Sequence, residues 1–169
     1  MISDRRTFLL LTGAGLMGIL GMRWFGGGDA VAEAKKKFEI EKSDAEWRKQ
    51  LTPEQFNVLR AHGTERPGSS PLNREKRKGN YVCAGCELPL FASDTKYESG
   101  TGWPSFWQPL PDAIGTTTDR SLFMSRTEVH CRRCGGHLGH VFNDGPKPTG
   151  LRYCMNGVSL KFVPDAAAS

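Results

Sequence analysis

The 169-residue chain is poor in cysteine, with five. Five is too few for a disulfide-dense mini-protein, and the odd number leaves one sulfur over. Long apolar runs are also lacking. The uncharged stretch Thr7–Met22 is broken by Gly13, Gly15, Gly18 and Gly21, which makes it short and weakly apolar for a membrane span. No run of like charge exceeds the three of Lys35-Lys36-Lys37, which reads as a solvated tether. The net charge of +5 therefore gathers into no aromatic-interleaved basic patch of the kind that grips nucleic acid. Twenty glycines and ten prolines argue against a helical bundle and for short strands joined by turns. The 38% hydrophobic and 24% charged residues permit a packed core, and the length suits one domain with an appendage.

The appendage comes first. Asp4-Arg5-Arg6-Thr7-Phe8-Leu9-Leu10 places paired arginines ahead of the mildly apolar run, and Ala30-Val31-Ala32 supplies an A-x-A cleavage signal. Residues 1–32 read as a twin-arginine export signal, with a mature chain from Glu33 to Ser169 and a periplasmic destination. The alternative is an uncleaved membrane anchor facing the periplasm. Residues 33–42 read as a tether, and residues 43–165 as the folded domain.

Two short helices open that domain. Ser43-Asp44-Ala45-Glu46 and Thr52-Pro53-Glu54-Gln55 are capping-box patterns, the second with proline at the favoured first helical position. Gly63 is expected to end the second helix. From Tyr81 onward the pattern changes to strands at 90–91, 121–130, 140–142 and 151–162, each punctuated by Gly or Pro.

Cys83-Ala84-Gly85-Cys86 and Cys131-Arg132-Arg133-Cys134 are paired C-x-x-C units, separated by residues 87–130. Two such turns can aim four thiolates at one ion, a closed tetrahedral set that suits a single structural Zn²⁺. Gly85 and Gly135 fit turns that tolerate positive φ. Structural disulfides and redox-active C-x-x-C chemistry are the alternatives.

The remaining sulfur, Cys154, lies in Arg152-Tyr153-Cys154-Met155-Asn156. A lone cysteine is commonly a buried small hydrophobe. On a strand, however, Arg152 and Asn156 share its face, one to favour the thiolate and one to offer an amide. His137-Leu138-Gly139-His140 brings two imidazoles suited to acid–base work, although H-x-x-H is also ligand-like. The loop Ser99-Gly100-Thr101-Gly102-Trp103-Pro104-Ser105-Phe106-Trp107 suggests an apolar pocket wall, ordinary core packing being the other reading.

Taken in order, Gly63-Thr64-Glu65, the two C-x-x-C units, Gly102-Trp103-Pro104-Ser105-Phe106, His137–Phe142, Asp144-Gly145-Pro146 and Arg152-Tyr153-Cys154-x-Asn156 resemble methionine sulfoxide reductase B. The resemblance spans roughly residues 43–163. It implies a mainly β fold of two antiparallel sheets, sandwich- or barrel-like, with short N-terminal helices and one Zn²⁺ on Cys83, Cys86, Cys131 and Cys134. It implies no organic cofactor. It implies reduction of the R epimer of methionine sulfoxide, protein-bound in the exported case, with Cys154 as nucleophile. His137, His140 and Asn156 would orient the sulfoxide and protonate its oxygen. Arg152 would activate the thiol, while Trp103 and Phe142 would touch the substrate methyl group. Many relatives carry a resolving cysteine where this chain has Thr101, so an external thiol, thioredoxin-like or glutaredoxin-like, is the expected reductant. No nucleic-acid partner is expected, and nothing in the sequence points to an obligate interface, so a monomer is expected. The rival reading is a zinc-stapled binding module without catalysis; a disulfide oxidoreductase would need a free C-x-x-C.

Overall fold

Helix α1, Asp44–Gln50, and helix α2, Pro53–Ala61, start where their capping boxes predict. The Ser43 hydroxyl accepts from the Glu46 amide, and the Glu46 carboxylate accepts from the Ser43 amide at 2.8 Å. Thr52 and Gln55 repeat this exchange. Helix α1 buries Trp47, and α2 buries Phe56, Val58 and Leu59. The end of α2 differs from expectation. The left-handed residue is His62, at φ 54°, and not Gly63, whose amide instead closes the turn on the Asn57 carbonyl. This matters below, because His62 projects into a cluster of ionisable groups.

The computed structural model describes residues 37–121 and 124–166. The expected export signal, and residues 33–36 of the expected tether, lie outside the described residues. Residues 37–42 lie against the second C-x-x-C turn: the Ile40 amide donates to the Arg133 carbonyl, and Phe38 packs edge-on against His130. Among the described residues no helix is long and apolar enough to cross a membrane.

Among the described residues, nine strands form two antiparallel sheets. They are β1 (Gly79–Cys83), β2 (Pro89–Ala92), β3 (Lys96–Tyr97), β4 (Ser105–Phe106), β5 (Ile114–Asp119), β6 (Arg126–Cys131), β7 (His137–Phe142), β8 (Arg152–Met155) and β9 (Leu160–Pro164). The smaller sheet runs β2-β1-β9, the larger β3-β4-β8-β7-β6-β5. This is the mainly β, two-sheet architecture that the resemblance implies.

The expected strands differ in extent: that at 90–91 lengthens to Pro89–Ala92, and that at 140–142 begins already at His137. The expected strand at 121–130 begins only at Arg126, because Asp119 accepts the Ser121 amide at 2.8 Å and turns the chain. The strand before that turn, β5, carries three consecutive threonines and too little apolar alternation to announce itself. The expected strand at 151–162 is two. A tight turn at 157–159 carries the chain from the large sheet in β8 to the small sheet in β9. Gly157 is required there by close approach, since a Cβ would collide with the Ser70 hydroxyl.

The core contains Tyr81, Leu90, Phe91, Phe106, Leu138 and Met155, all fully buried. Phe91 and Phe106 stack at 4.3 Å, and Tyr81 meets Phe106 edge-on at 4.9 Å, so aromatic faces join the two sheets. Phe106→Ala is expected to cost about 3–5 kcal/mol, and Ser43→Ala only about 1 kcal/mol through the lost cap, both read from urea unfolding.

Candidate active site and metal cage

Strand β1 ends at Cys83 in the small sheet, and β6 ends at Cys131 in the large one. Each strand end enters a C-x-x-C turn closed by a backbone bond from the residue four positions on. Glu87 donates to the Cys83 carbonyl and Gly135 to that of Cys131. Both closing residues have positive φ, 60° and 66°, so the left-handed position of the first turn falls on Glu87 and not on the expected Gly85. Side chains from both helices hold the turns. Gln50 donates to the Gly85 carbonyl and Arg60 to that of Cys134.

All four sulfurs lie within 4.8 Å of one another. Cys83 and Cys134 are 3.7 Å apart, Cys86 and Cys131 3.5 Å, well beyond a disulfide bond of about 2.05 Å. A tetrahedral Zn²⁺ with ~2.3 Å bonds sets its sulfur ligands about 3.8 Å apart. The donor set therefore fits such an ion with little adjustment. The charge balance agrees. Cys131 is held far below the usual thiol range by donation from Cys134 and then Cys83, while donation to Cys131 holds Cys83 far above it. Crowded, largely buried thiols cannot all ionise without a cation between them.

The second assembly is built across the large sheet. Cys154 on β8 pairs directly with Ser105 on β4 and with His140 on β7, and His140 in turn with Glu128 on β6. Directly opposed residues present their side chains on the same face, about 5 Å apart at Cβ, so thiol, imidazole and carboxylate form one row. Gly139 allows β7 and β8 to approach, since a Cβ there would collide with the Cys154 carbonyl oxygen.

His137 joins this face through an irregularity. It lies three positions from His140, so an unbroken strand would turn the two side chains to opposite faces. The β6–β7 register shifts between Val129 and His130, so that His130 pairs with His137. This bulge reverses the alternation, and the two imidazole rings end 5.5 Å apart. Each is backed by a carboxylate. His137 Nδ1 lies 2.7 Å from Glu128, and His140 Nε2 lies 2.8 Å from Asp119. Burial lowers the proton affinity of His140, while its contact with Asp119 acts in the opposite direction. Glu128 is held far below the usual carboxylate range by its bonds to His137 and His62. A cleft of about 550 Å³ opens over His62, Asp119, Glu128, His137 and His140.

The other expected residues fall nearby in distinct settings. Arg152 makes two 2.8 Å bonds to Asp144, and its guanidinium lies 4.4 Å over the ring of Phe142. Asn156 is buried, with its amide divided between backbone groups: Oδ1 accepts from Glu65 and Nδ2 donates to Leu138. Trp103 donates its indole N–H to the Glu65 carbonyl at 3.2 Å. The Glu65 carboxylate accepts the amides of Gly157 and Val158, so one residue ties the Trp103 loop to the turn after Cys154. Thr101 lies with its hydroxyl 3.8 Å from the Cys154 sulfur and continues through Ser99 to Ser105 in a hydroxyl chain.

Sequence reasoning missed His62, Glu65, Asp119 and Glu128 as parts of this assembly. Glu128 carried a signal in its alternation with Arg126 along one strand, and Glu65 in the Gly63-Thr64-Glu65 motif, though neither was given a role. The others depend on pairings between distant segments.

A family model described as the SelR domain matches residues 51–164. The peptide methionine sulfoxide reductase MsrB of Leptospira interrogans is 59% identical over 126 residues, covering 74% of this chain and 96% of its own. That of Agrobacterium fabrum is 57% identical over 127 residues, covering 75% and 94%. The Methanosarcina barkeri protein of the same name is 60% identical over 124 residues, covering 73% and 87%.

Two outcomes test the site as built. Cys131→Ser is expected to lose the bound metal and with it cooperative unfolding, measured by metal analysis and thermal melting, because metal-binding energy at such sites is folding energy. Glu128→Gln tests the acid side. Since its carboxylate is depressed in the fold, its stabilisation is complete above its unfolded value of about 4.3 and fades as the pH falls below it. The stability gap between wild type and Glu128→Gln is expected to be about 1–3 kcal/mol at pH 6 and to narrow below pH 4. A gap unchanged down to pH 3 would remove the ionised bond as its cause. With the match across most of its folded part and relatives of near-equal domain length, the chain belongs to the SelR-domain family of MsrB methionine sulfoxide reductases.

Proposed function

We propose that the protein reduces the R epimer of peptide methionine sulfoxide, with Cys154 as nucleophile. The observation that carries this reading is the register that sets the half-buried Cys154 directly opposite His140, which itself lines a cleft with Asp119 and Glu128. Membership of the MsrB family supports the same reaction.

The chemistry follows from the sulfoxide. Its sulfur is electrophilic, but oxide leaves poorly, so a proton must reach the oxygen as the thiolate attacks. The Cys154 thiolate, the sulfoxide and one proton give methionine and a Cys154 sulfenic acid. Two equivalents of an external thiol then return the Cys154 thiol, a disulfide of the reductant and water. His137 and His140 are the proton donors in this reading. Glu128 and Asp119 favour the imidazolium form from which each proton is delivered. Arg152, fixed by Asp144, supplies positive charge to the thiolate. Asn156 holds the strand end that carries Cys154, and Trp103 with Phe142 forms the apolar wall for the methyl group.

With Thr101 beside the sulfur and the other cysteines gathered in the cage, the sulfenic acid has no intramolecular thiol partner among the described residues. The reductant is therefore external, of the thioredoxin or glutaredoxin kind, and no disulfide at Cys154 forms within the chain. A single Zn²⁺ on Cys83, Cys86, Cys131 and Cys134 supplies structural cross-linking only, since four thiolates leave it no open position. The protein acts as a monomer, and residues 1–32 support export to the periplasm, with exported oxidised proteins as substrates.

Purified mature protein is expected to turn over only the R epimer of a methionine sulfoxide peptide with dithiothreitol, and Cys154→Ser is expected to abolish turnover while the melting temperature holds. Turnover of both epimers, or activity retained in Cys154→Ser, would overturn the reading.

A further inference from the structure

The acidic row beside Cys154 contains a second convergence of metal-ligating atoms. Glu128 Oε1 receives two imidazoles at once, His62 Nδ1 at 3.1 Å and His137 Nδ1 at 2.7 Å. All three donor atoms lie within 4.8 Å of one another. They come from three separate places in the chain: the left-handed end of α2, the middle of β6 and the bulged start of β7.

An ion with ~2.0–2.1 Å bonds to nitrogen and oxygen sets adjacent ligands about 2.9 Å apart in octahedral and about 3.4 Å apart in tetrahedral geometry. The separations of 2.7 and 3.1 Å lie near the octahedral edge, and the third pair of donor atoms lies within 4.8 Å. The charges suit a dication. Glu128 is held in its ionised form by its two imidazole partners, so the triad offers a charged carboxylate oxygen between two ring nitrogens. The ligand types, two imidazoles and one carboxylate with the remaining positions open to a cleft, are those of zinc sites that keep an open coordination position rather than of closed cages. His140 is not part of the set, because its Nε2 is committed to Asp119.

We propose that His62, Glu128 and His137 form a second, exchangeable site for a borderline divalent cation such as Zn²⁺, distinct from the four-cysteine cage. The ion sits in the cleft that His140, the strand partner of Cys154, also lines, and it occupies His137. It therefore competes with the reaction proposed above, and that consequence alone rests on the reductase reading.

The test is equilibrium dialysis of the full-length, cage-loaded protein against buffered free Zn²⁺, with metal analysis per chain. Wild type is expected to hold two ions and to release one to a mild chelator. His62→Ala is expected to hold one, and it removes a ligand whose side chain is 65% exposed, so its fold survives. Cys154→Ser is expected to keep both ions. One ion in wild type, two in His62→Ala, or loss of the second ion in Cys154→Ser would each overturn the site. In turnover assays, micromolar Zn²⁺ is expected to slow wild type at least several-fold more than His62→Ala. Equal slowing would overturn the placement of the ion across the cleft. Because ion counting requires no turnover, failure of the metal site and failure of the reductase reading are separately visible.

Discussion

The four-cysteine cage is the constraint from which the rest of the structure hangs. Its sulfurs come from the ends of β1 and β6, which belong to different sheets, so the cage fixes one sheet against the other. A structural zinc site contributes on the order of 10 kcal/mol, as much as the whole net stability of an ordinary domain. Both helices are drawn into it through Gln50 and Arg60, which satisfy turn carbonyls that would otherwise be buried without donors. The aromatic contacts of Tyr81, Phe91 and Phe106 then fill the space that the cage has set.

The reactive side depends on that placement because the chain crosses between the sheets immediately after Cys154. Strand β8 pairs in the large sheet, the turn at Gly157 packs on Ser70, and β9 pairs in the small sheet. Glu65 and Asn156 lock the crossing from both sides by capping the turn and binding the Leu138 and Glu65 backbones. A shift of one sheet against the other would therefore move the thiol relative to His140. The cage lies at one end of the molecule's β6, and its reach to the site is mechanical, through strand register rather than through charge.

Around the thiol, electrostatics are arranged in pairs. Arg152 is held by Asp144, His137 by Glu128 and His140 by Asp119. Each carboxylate fixes the orientation of its basic partner and makes the charged form less costly in a partly buried setting. The hydroxyls of Thr101, Ser99 and Ser105 complete the surroundings of the sulfur on the side away from the imidazoles.

Much of this was legible in one sequence. The capping boxes fix the helix starts because they are local, complete within four residues. The paired C-x-x-C spacing announces the cage because two turns of the right chemistry need only meet. The motifs around Cys154 and His137–His140 mark the candidate residues and point to the family. The structure decided what no local pattern carries. The parity of His137 and His140 comes from a bulge, the carboxylates Glu128 and Asp119 reach the imidazoles through strand register, and His62 enters because the chain turns left-handed one residue before the expected glycine. Local hydrogen bonds and ligand spacings are written in short segments, whereas the faces and partners of side chains are set by pairing between segments far apart in sequence, which only the closed tertiary structure brings into register.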